Sequence, residues 1–208
     1  MNKVNYQLET DKIIKDVLNK GTAPSLMLHS CCAPCSSYTL EYLSQYFCIT
    51  VFYYNPNISP EEEFEKRFNE QKRLIEALPA KNKISLVKGE YNSGDFFEIA
   101  RGLENAKEGG ERCFECYRLR LEKTAQLAKQ MGFDYFCTTL SISPLKNSQK
   151  INEIGFETAE KYGISWLPSD FKKKEGFKRS IELSREYDLY RQDFCGCIFS
   201  KMNKEEEK

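Results

Sequence analysis

Two polarity patterns alternate along this chain. Ile13, Ile14, Val17 and Leu18 make an apolar stripe at helical spacing. Thr10-Asp11 before it reads as a helix start and Gly21 after it as a cap. Residues 25–29, SLMLH, form a short unbroken apolar run of strand character, and 36–45 resumes the helical period. The stretch 47–54, β-branched and aromatic, predicts a second strand. NPNISP at 55–60 is turn chemistry, and SPEE opens a long charged helix ending near Leu78. A third strand is expected at 84–88 and a short helix at 95–103. After Gly109-Gly110, residues 113–131 are helical in period and stop at Gly132. Residues 135–142 predict a strand closed by Pro144, 148–162 a helix capped by Gly163, and 164–167 a short extended piece. Residues 177–203 read as an irregular helical extension, KEEEK at 204–208 as a frayed tail, and no internal repeat is evident.

Strands alternating with helices of this length predict an α/β fold, a parallel sheet with helices on both faces. At 208 residues the chain is expected to form one domain, 1–208. Its core sheet and helices span 22–168, and a C-terminal helical extension spans 169–203. In such sheets ligands gather at the carboxyl ends of the strands, where Cys31 and Cys32 fall.

Charge narrows the partners little. Lysine plus arginine and aspartate plus glutamate both total 31, so any nucleic-acid surface must be a local patch. No run approaches the ~18 apolar residues of a membrane span. The N-terminal stretch MNKVNYQLETDKIIKDVLNKG is charged throughout and has no signal-peptide core, so a cytoplasmic protein without membrane partners is expected.

Cysteine changes the picture. Nine are present, and in a reducing cytosol they are ligands or redox groups before they are structural disulfides. Cys48 and Cys137 stand alone inside FCITVFYY and DYFCTTL and are expected to be small buried hydrophobes. The others cluster. HSCCAPC puts Cys31, Cys32 and Cys35 into five residues. Cys113-Phe-Glu-Cys116 sets two sulfurs on one face of a helix N-terminus, where the dipole favours thiolate. Alone that motif fits a thioredoxin-like couple, half a zinc site or half an iron–sulfur site. Cys31, Cys32, Cys113 and Cys116 together give the four thiolates of tetrahedral zinc or of a [4Fe-4S] cluster. Adjacent cysteines suit a cluster better than one zinc ion, because each sulfur then binds a different iron.

Cys195-Gly-Cys197 can close a disulfide only in a bent backbone, which Gly196 permits, and such a ring would be easily reduced. A redox pair is the favoured reading; two ligands or two free thiols are the alternatives. His29, the only histidine, leaves a histidine-based hydrolase little material and is expected to be half-buried and to position the loop. The run FKKKEGFKRS at 171–180 holds five cations and alone reads as a solvated loop. With Arg191 and the thiol pair near in sequence, Lys173, Lys174, Lys178, Arg179 and Arg191 become a candidate phosphate-facing lip.

Taken together, HSCCAPCSSYTLEYL, YNPNISPEEEFEKR, GGERCFECYRLRLEKTA, FDYFCTTLSISPLKN and DFKKKEGFKRSIELSREYDLYRQDFCGC resemble the QueH-type epoxyqueuosine reductases, over about residues 26–200. The resemblance implies a fold like the adenine-nucleotide α-hydrolase (PP-loop, HUP) proteins, with the thiol loop where relatives carry a phosphate loop. SCCAPCS has no glycine with which to close backbone amides round a pyrophosphate. The resemblance further implies [4Fe-4S] ligands at Cys31, Cys32, Cys113 and Cys116, and a redox-active disulfide at Cys195 and Cys197. It also implies an additional iron beside the cluster, for which an Asp can stand at the position of Cys35; the thiol here departs from that pattern. The implied reaction is reductive removal of the epoxide oxygen of epoxyqueuosine at the tRNA wobble position. The implied partners are that tRNA and an electron donor the resemblance does not name. Tyr53, Tyr54 and Tyr117 are then candidates for stacking a base or donating a proton. A PP-loop thiolation enzyme would need an S-G-G-x-D-S-like loop, which is absent, and a zinc-binding RNA module would leave Cys195 and Cys197 without a role.

Overall fold

The most apolar run of the chain takes the middle of the sheet. Leu26, Met27 and Leu28 are fully buried in β1 (Ser25–His29), as a strand covered on both faces requires. The computed structural model describes the backbone of residues 4–206 and side chains up to residue 202. β2 (Cys48–Tyr53), β3 (Ile84–Lys88), β4 (Tyr135–Thr138) and β5 (Ser165–Trp166) complete a five-stranded sheet, every pairing parallel, in the order β3-β2-β1-β4-β5. That order is compatible with the PP-loop resemblance. It reverses direction between β1 and β4, and this switch point is where open α/β sheets bind ligands.

Helices cover both faces. α2 (Ala33–Leu43) packs on α3 (Glu61–Ala77), while α5 (Glu111–Gln130) packs on α6 (Ser148–Tyr162). Right-handed crossovers in opposite directions from the switch point put these two pairs on opposite sides. α1 (Tyr6–Lys20) and α4 (Ser93–Ala100) flank the layers. The C-terminal extension supplies α7 (Gly176–Glu186), laid along α2, and α8 (Ile198–Glu206). Gly176 permits that approach: a Cβ there would stand 2.1 Å from the Phe171 carbonyl and 2.4 Å from the Tyr38 ring.

Several boundaries differ from the sequence reading. α1 starts at Tyr6 rather than Thr10, because Thr10 is buried inside the helix and its hydroxyl bonds the Pro168 carbonyl at 2.6 Å. α2 starts at Ala33, with Pro34 in its first turn, where a missing N–H costs nothing. The strand expected over 135–142 ends at Thr138, whose hydroxyl accepts from Leu140 N–H and tightens 139–142 into a 3-10 turn. Cys48 is exposed at the start of β2, whereas Cys137 is buried as expected. α8 runs to Glu206 through the segment read as a frayed tail. Residues 207–208 of that tail, and 1–3 of the charged N-terminal stretch, lie outside the described residues.

Candidate thiol-centred site

The site begins where β1 ends. His29 is fully buried rather than half-buried, and burial pulls its imidazole down to about 3, so the ring is neutral. Its Nε2 contacts the Tyr54 carbonyl at 3.1 Å, which can only accept, so Nδ1 accepts from the Thr138 hydroxyl at 2.8 Å. The ring thereby ties the carboxyl ends of β1, β2 and β4 together below the loop. Ser30 N–H continues the pairing to Phe52, and Asn55 Nδ2 donates to the Ser30 carbonyl at 2.8 Å.

Above this base the chain turns from strand to helix, with Cys32 extended at the N-cap of α2 and Cys35 in its first turn. The turn defeats the divergence of neighbouring side chains on an extended chain. Cys31, Cys32 and Cys35 bring their sulfurs within 4.8 Å of one another, and Cys31 and Cys32 are 3.8 Å apart. The other two thiols hydrogen-bond to Cys31 and hold it well below the usual thiol range, with Lys146 and Arg120 adding positive field. Cys31 in turn pushes Cys32 up to about 12 and Cys35 upward. Cys31 is thus favoured as thiolate and its two neighbours as thiols, a group of donors suited to a metal that displaces the protons.

Cys113 lies in the first turn of α5 and Cys116 in the second, and Gly109 N–H donates to Cys113 Sγ at 3.2 Å. The helix terminus was expected to favour thiolate, but burial outweighs it. Desolvation raises Cys113 and pushes Cys116 up to about 12. Cys116 packs with Phe96, Ala100 and Cys197, which brings the α5 pair against the C-terminal thiols.

There Gly196 adopts φ +115°, the bent backbone the motif called for. Cys195 and Cys197 are both thiols in this structure. Their loop is tied down on three sides. Ser59 N–H donates to the Gly196 carbonyl at 2.9 Å, and Arg67 Nη1 to the Cys195 carbonyl at 3.2 Å. Cys195 N–H donates to Ser200 Oγ at 3.1 Å, and that hydroxyl donates to Glu108 at 3.0 Å. Burial pushes Cys197 up to about 11.

One cavity of about 570 Å³ joins the triad loop to Cys195. Cys31, Pro34 and Cys35 line one side, Cys195 another, and the β4–α6 loop with Lys146 closes it at the switch point. Of the predicted cation lip, Arg191 lines the cavity, and its Nη1 donates to Ser184 Oγ at 2.9 Å. Lys173, Lys174, Lys178 and Arg179 do not line it. Lys174 pairs with Asp11 at 2.7 Å, Arg179 with Glu41 at 2.7 Å and Lys178 with Glu175 at 3.6 Å. Phe177 and Ser180 are the α7 residues that reach the wall. Tyr53, Tyr54 and Tyr117 are buried, and the first two hydroxyls are spent on the Phe64 carbonyl and Asp95, so none offers an open ring face to a base.

Sequence reasoning missed the cations behind the thiols. Arg120 is 1% exposed, one turn beyond Cys116, whose carbonyl accepts from its Nε at 3.0 Å. Its position four residues after Cys116, on the face that carries the thiol into the protein, was the available signal. Arg67, also buried, and Lys146, half-buried at the cavity wall, carried no comparable mark in the sequence.

A parallel α/β sheet with a thiol triad at its switch point and Cys195 across the same cavity defines a thiol-centred α/β protein with donors for a metal. The chain belongs to the family described as Epoxyqueuosine reductase QueH, whose model matches residues 26–203. An epoxyqueuosine reductase QueH of Streptococcus pyogenes serotype M1 is 44% identical over 95% of this chain and 78% of its own length. One from Staphylococcus epidermidis is 42% identical over 96% of this chain and 86% of its own. A third, from Thermotoga maritima, is 33% identical over 88% and 93%. Among the described residues no helix is long and apolar enough to cross a membrane.

Proposed function

We propose that the chain reduces epoxyqueuosine to queuosine in the anticodon loop of tRNA, a cytoplasmic reaction. The observation that carries this reading is the single cavity with Cys31 and Cys35 on one side and Cys195 on another. Its volume suits one unstacked modified nucleoside rather than a whole loop, which agrees with chemistry on an extruded base.

The residues fit a metal–sulfur centre. Three sulfurs already converge, and Arg67, Arg120 and Lys146 all stand in the field of these thiols, as an anionic cluster buried at this depth would need. Cys31, Cys32, Cys113 and Cys116 would hold a [4Fe-4S] cluster, leaving Cys35 as the thiol available to an additional iron. Such a centre would supply one-electron redox chemistry and a Lewis acid for the epoxide oxygen.

The chain's own residues do the remainder. Oxidation of the Cys195 and Cys197 dithiol to a disulfide releases two electrons and two protons. Epoxide plus two electrons and two protons gives alkene plus water, so the two half-reactions balance. An external reduced electron carrier, supplying two electrons per turnover, restores the dithiol. Lys146 and Arg191 present positive charge to the cavity, while Lys173, Lys174, Lys178 and Arg179 contact anticodon-arm phosphates outside it. Lys174 and Arg179 exchange a carboxylate for a phosphate when they do so.

The test is anaerobic incubation of the iron-loaded protein with a low-potential reductant and epoxyqueuosine-containing tRNA, followed by nucleoside mass spectrometry. Conversion to queuosine over many turnovers is expected. Unchanged epoxyqueuosine in the presence of bound iron would overturn the proposal.

A further inference from the structure

Among the described residues Arg67 is the cation with a fully buried donor left unpaired. It is 1% exposed on α3, and its guanidinium is always ionised. Nε donates to Glu63 at 2.7 Å and Nη1 to the Cys195 carbonyl at 3.2 Å. Nη2 is buried and has no hydrogen-bond partner among the described residues. Leaving a charged donor unpaired away from water is expensive, so a fold keeps one only where an acceptor completes it.

The surroundings show which acceptor. Gln71 lies one turn further along the same face of α3, and its amide sits 2.7 Å from the hydroxyls of both Ser30 and Ser36. Those serines flank Cys31 and Cys32 on the thiol loop. One face of α3 therefore bridges two places, the loop of Cys195 and Cys197 at Arg67 and the Cys31–Cys32 loop at Gln71. With Glu63, the sulfurs of Cys32 and Cys31, on the loop that Gln71 grips, are the groups that favour the charged guanidinium.

We propose that Arg67 is a positioning residue that couples the two sulfur groups. Nη1 holds the Cys195–Cys197 loop at the cavity, and Nη2 donates to a sulfur of the metal centre. A fixed positive charge and a hydrogen bond at sulfur both favour the electron-rich state, so Arg67 raises the centre's reduction potential. Glu63, paired with Nε, moderates that effect. This inference rests on the iron–sulfur reading given above.

The experiment uses the iron-loaded full chain under anaerobic conditions, with dye-mediated redox titration and the rate of Cys195 alkylation as readouts. Arg67→Gln should keep its iron, shift the midpoint potential to more negative values and speed alkylation severalfold as the loop loosens. Arg67→Lys keeps the charge but has no fork to serve both groups, so alkylation should speed up while the potential moves less. Glu63→Gln leaves the arginine less neutralised and should shift the potential to more positive values. Opposite signs for Arg67→Gln and Glu63→Gln are the signature of coupling, because a scaffold role for α3 would not produce them. Should Arg67→Gln fail to fold, Glu63→Gln decides alone. An unshifted or more negative potential in that iron-loaded variant overturns the inference. Wild-type protein without iron would instead overturn the iron–sulfur reading on which it rests.

Discussion

Cys31 and Cys32 are neighbours that an extended backbone would send to opposite faces, and the turn into α2 is what brings their sulfurs 3.8 Å apart. The cost is steric and electrostatic crowding, which a metal would relieve by taking the protons' place. Replacing Cys113 or Cys116 with Ser should therefore remove most bound iron, because a hydroxyl is a poor substitute for a thiolate. Cys35→Ala should remove only the additional iron, about one atom in five of a five-iron centre. Cys137→Ser and Cys48→Ser should retain full iron, Cys137 because it is sealed in the core and Cys48 because it is exposed at the start of β2. Iron analysis of the three classes checks the assignment, and equal loss in all of them would contradict it. These thiols were legible in the sequence because closely spaced cysteines are rare and chemically specific. Arg67, Arg120 and Lys146 were not, because an arginine or lysine on a charged helix or loop looks solvated until the fold shows its depth.

Among the elements, the strands were legible and their order was not. An unbroken run such as SLMLH announces a doubly covered strand, whereas the neighbour relations β2-β1-β4 depend on contacts far apart in sequence. Helix starts were misjudged where a polar residue turned inward, as Thr10 does toward Pro168. Close approaches between elements rest on two glycines that the sequence reading passed over. At Gly155 a Cβ would lie 2.3 Å from the Trp166 ring, so Gly155→Ala should destabilise the protein by roughly 1–3 kcal/mol through overpacking. A urea titration measures this, and an unchanged midpoint would show that α6 can shift away from β5. Gly176→Ala meets a main-chain carbonyl as well as the Tyr38 ring, and neither can yield easily. It should lift α7 off α2, carrying Phe177 and Ser180 away from the cavity, so stability and turnover should fall together. Full turnover in that variant would mean that α7 does not shape the site.

For the molecule as a whole, zero net charge means that tRNA affinity must come from local cations. Neutralising Lys173, Lys174 and Lys178 should weaken tRNA binding and reduce its salt slope by about one for each phosphate left without its cation. Lys174 should contribute least, since it must first give up Asp11. Binding curves over a salt series check this, and unchanged affinity at low salt would return the run to a solvated surface. The central claim, however, is electron balance at the thiol site. It is tested most directly in a single turnover: iron-loaded protein is pre-reduced, freed of reductant and mixed with epoxyqueuosine-containing tRNA, and the queuosine formed per chain is counted by mass spectrometry. The wild-type chain should form queuosine in step with loss of the Cys195 and Cys197 thiols, and Cys195→Ser should form far less at the same iron content. Equal yields from both proteins, or none from the wild type with its iron intact, would contradict the account.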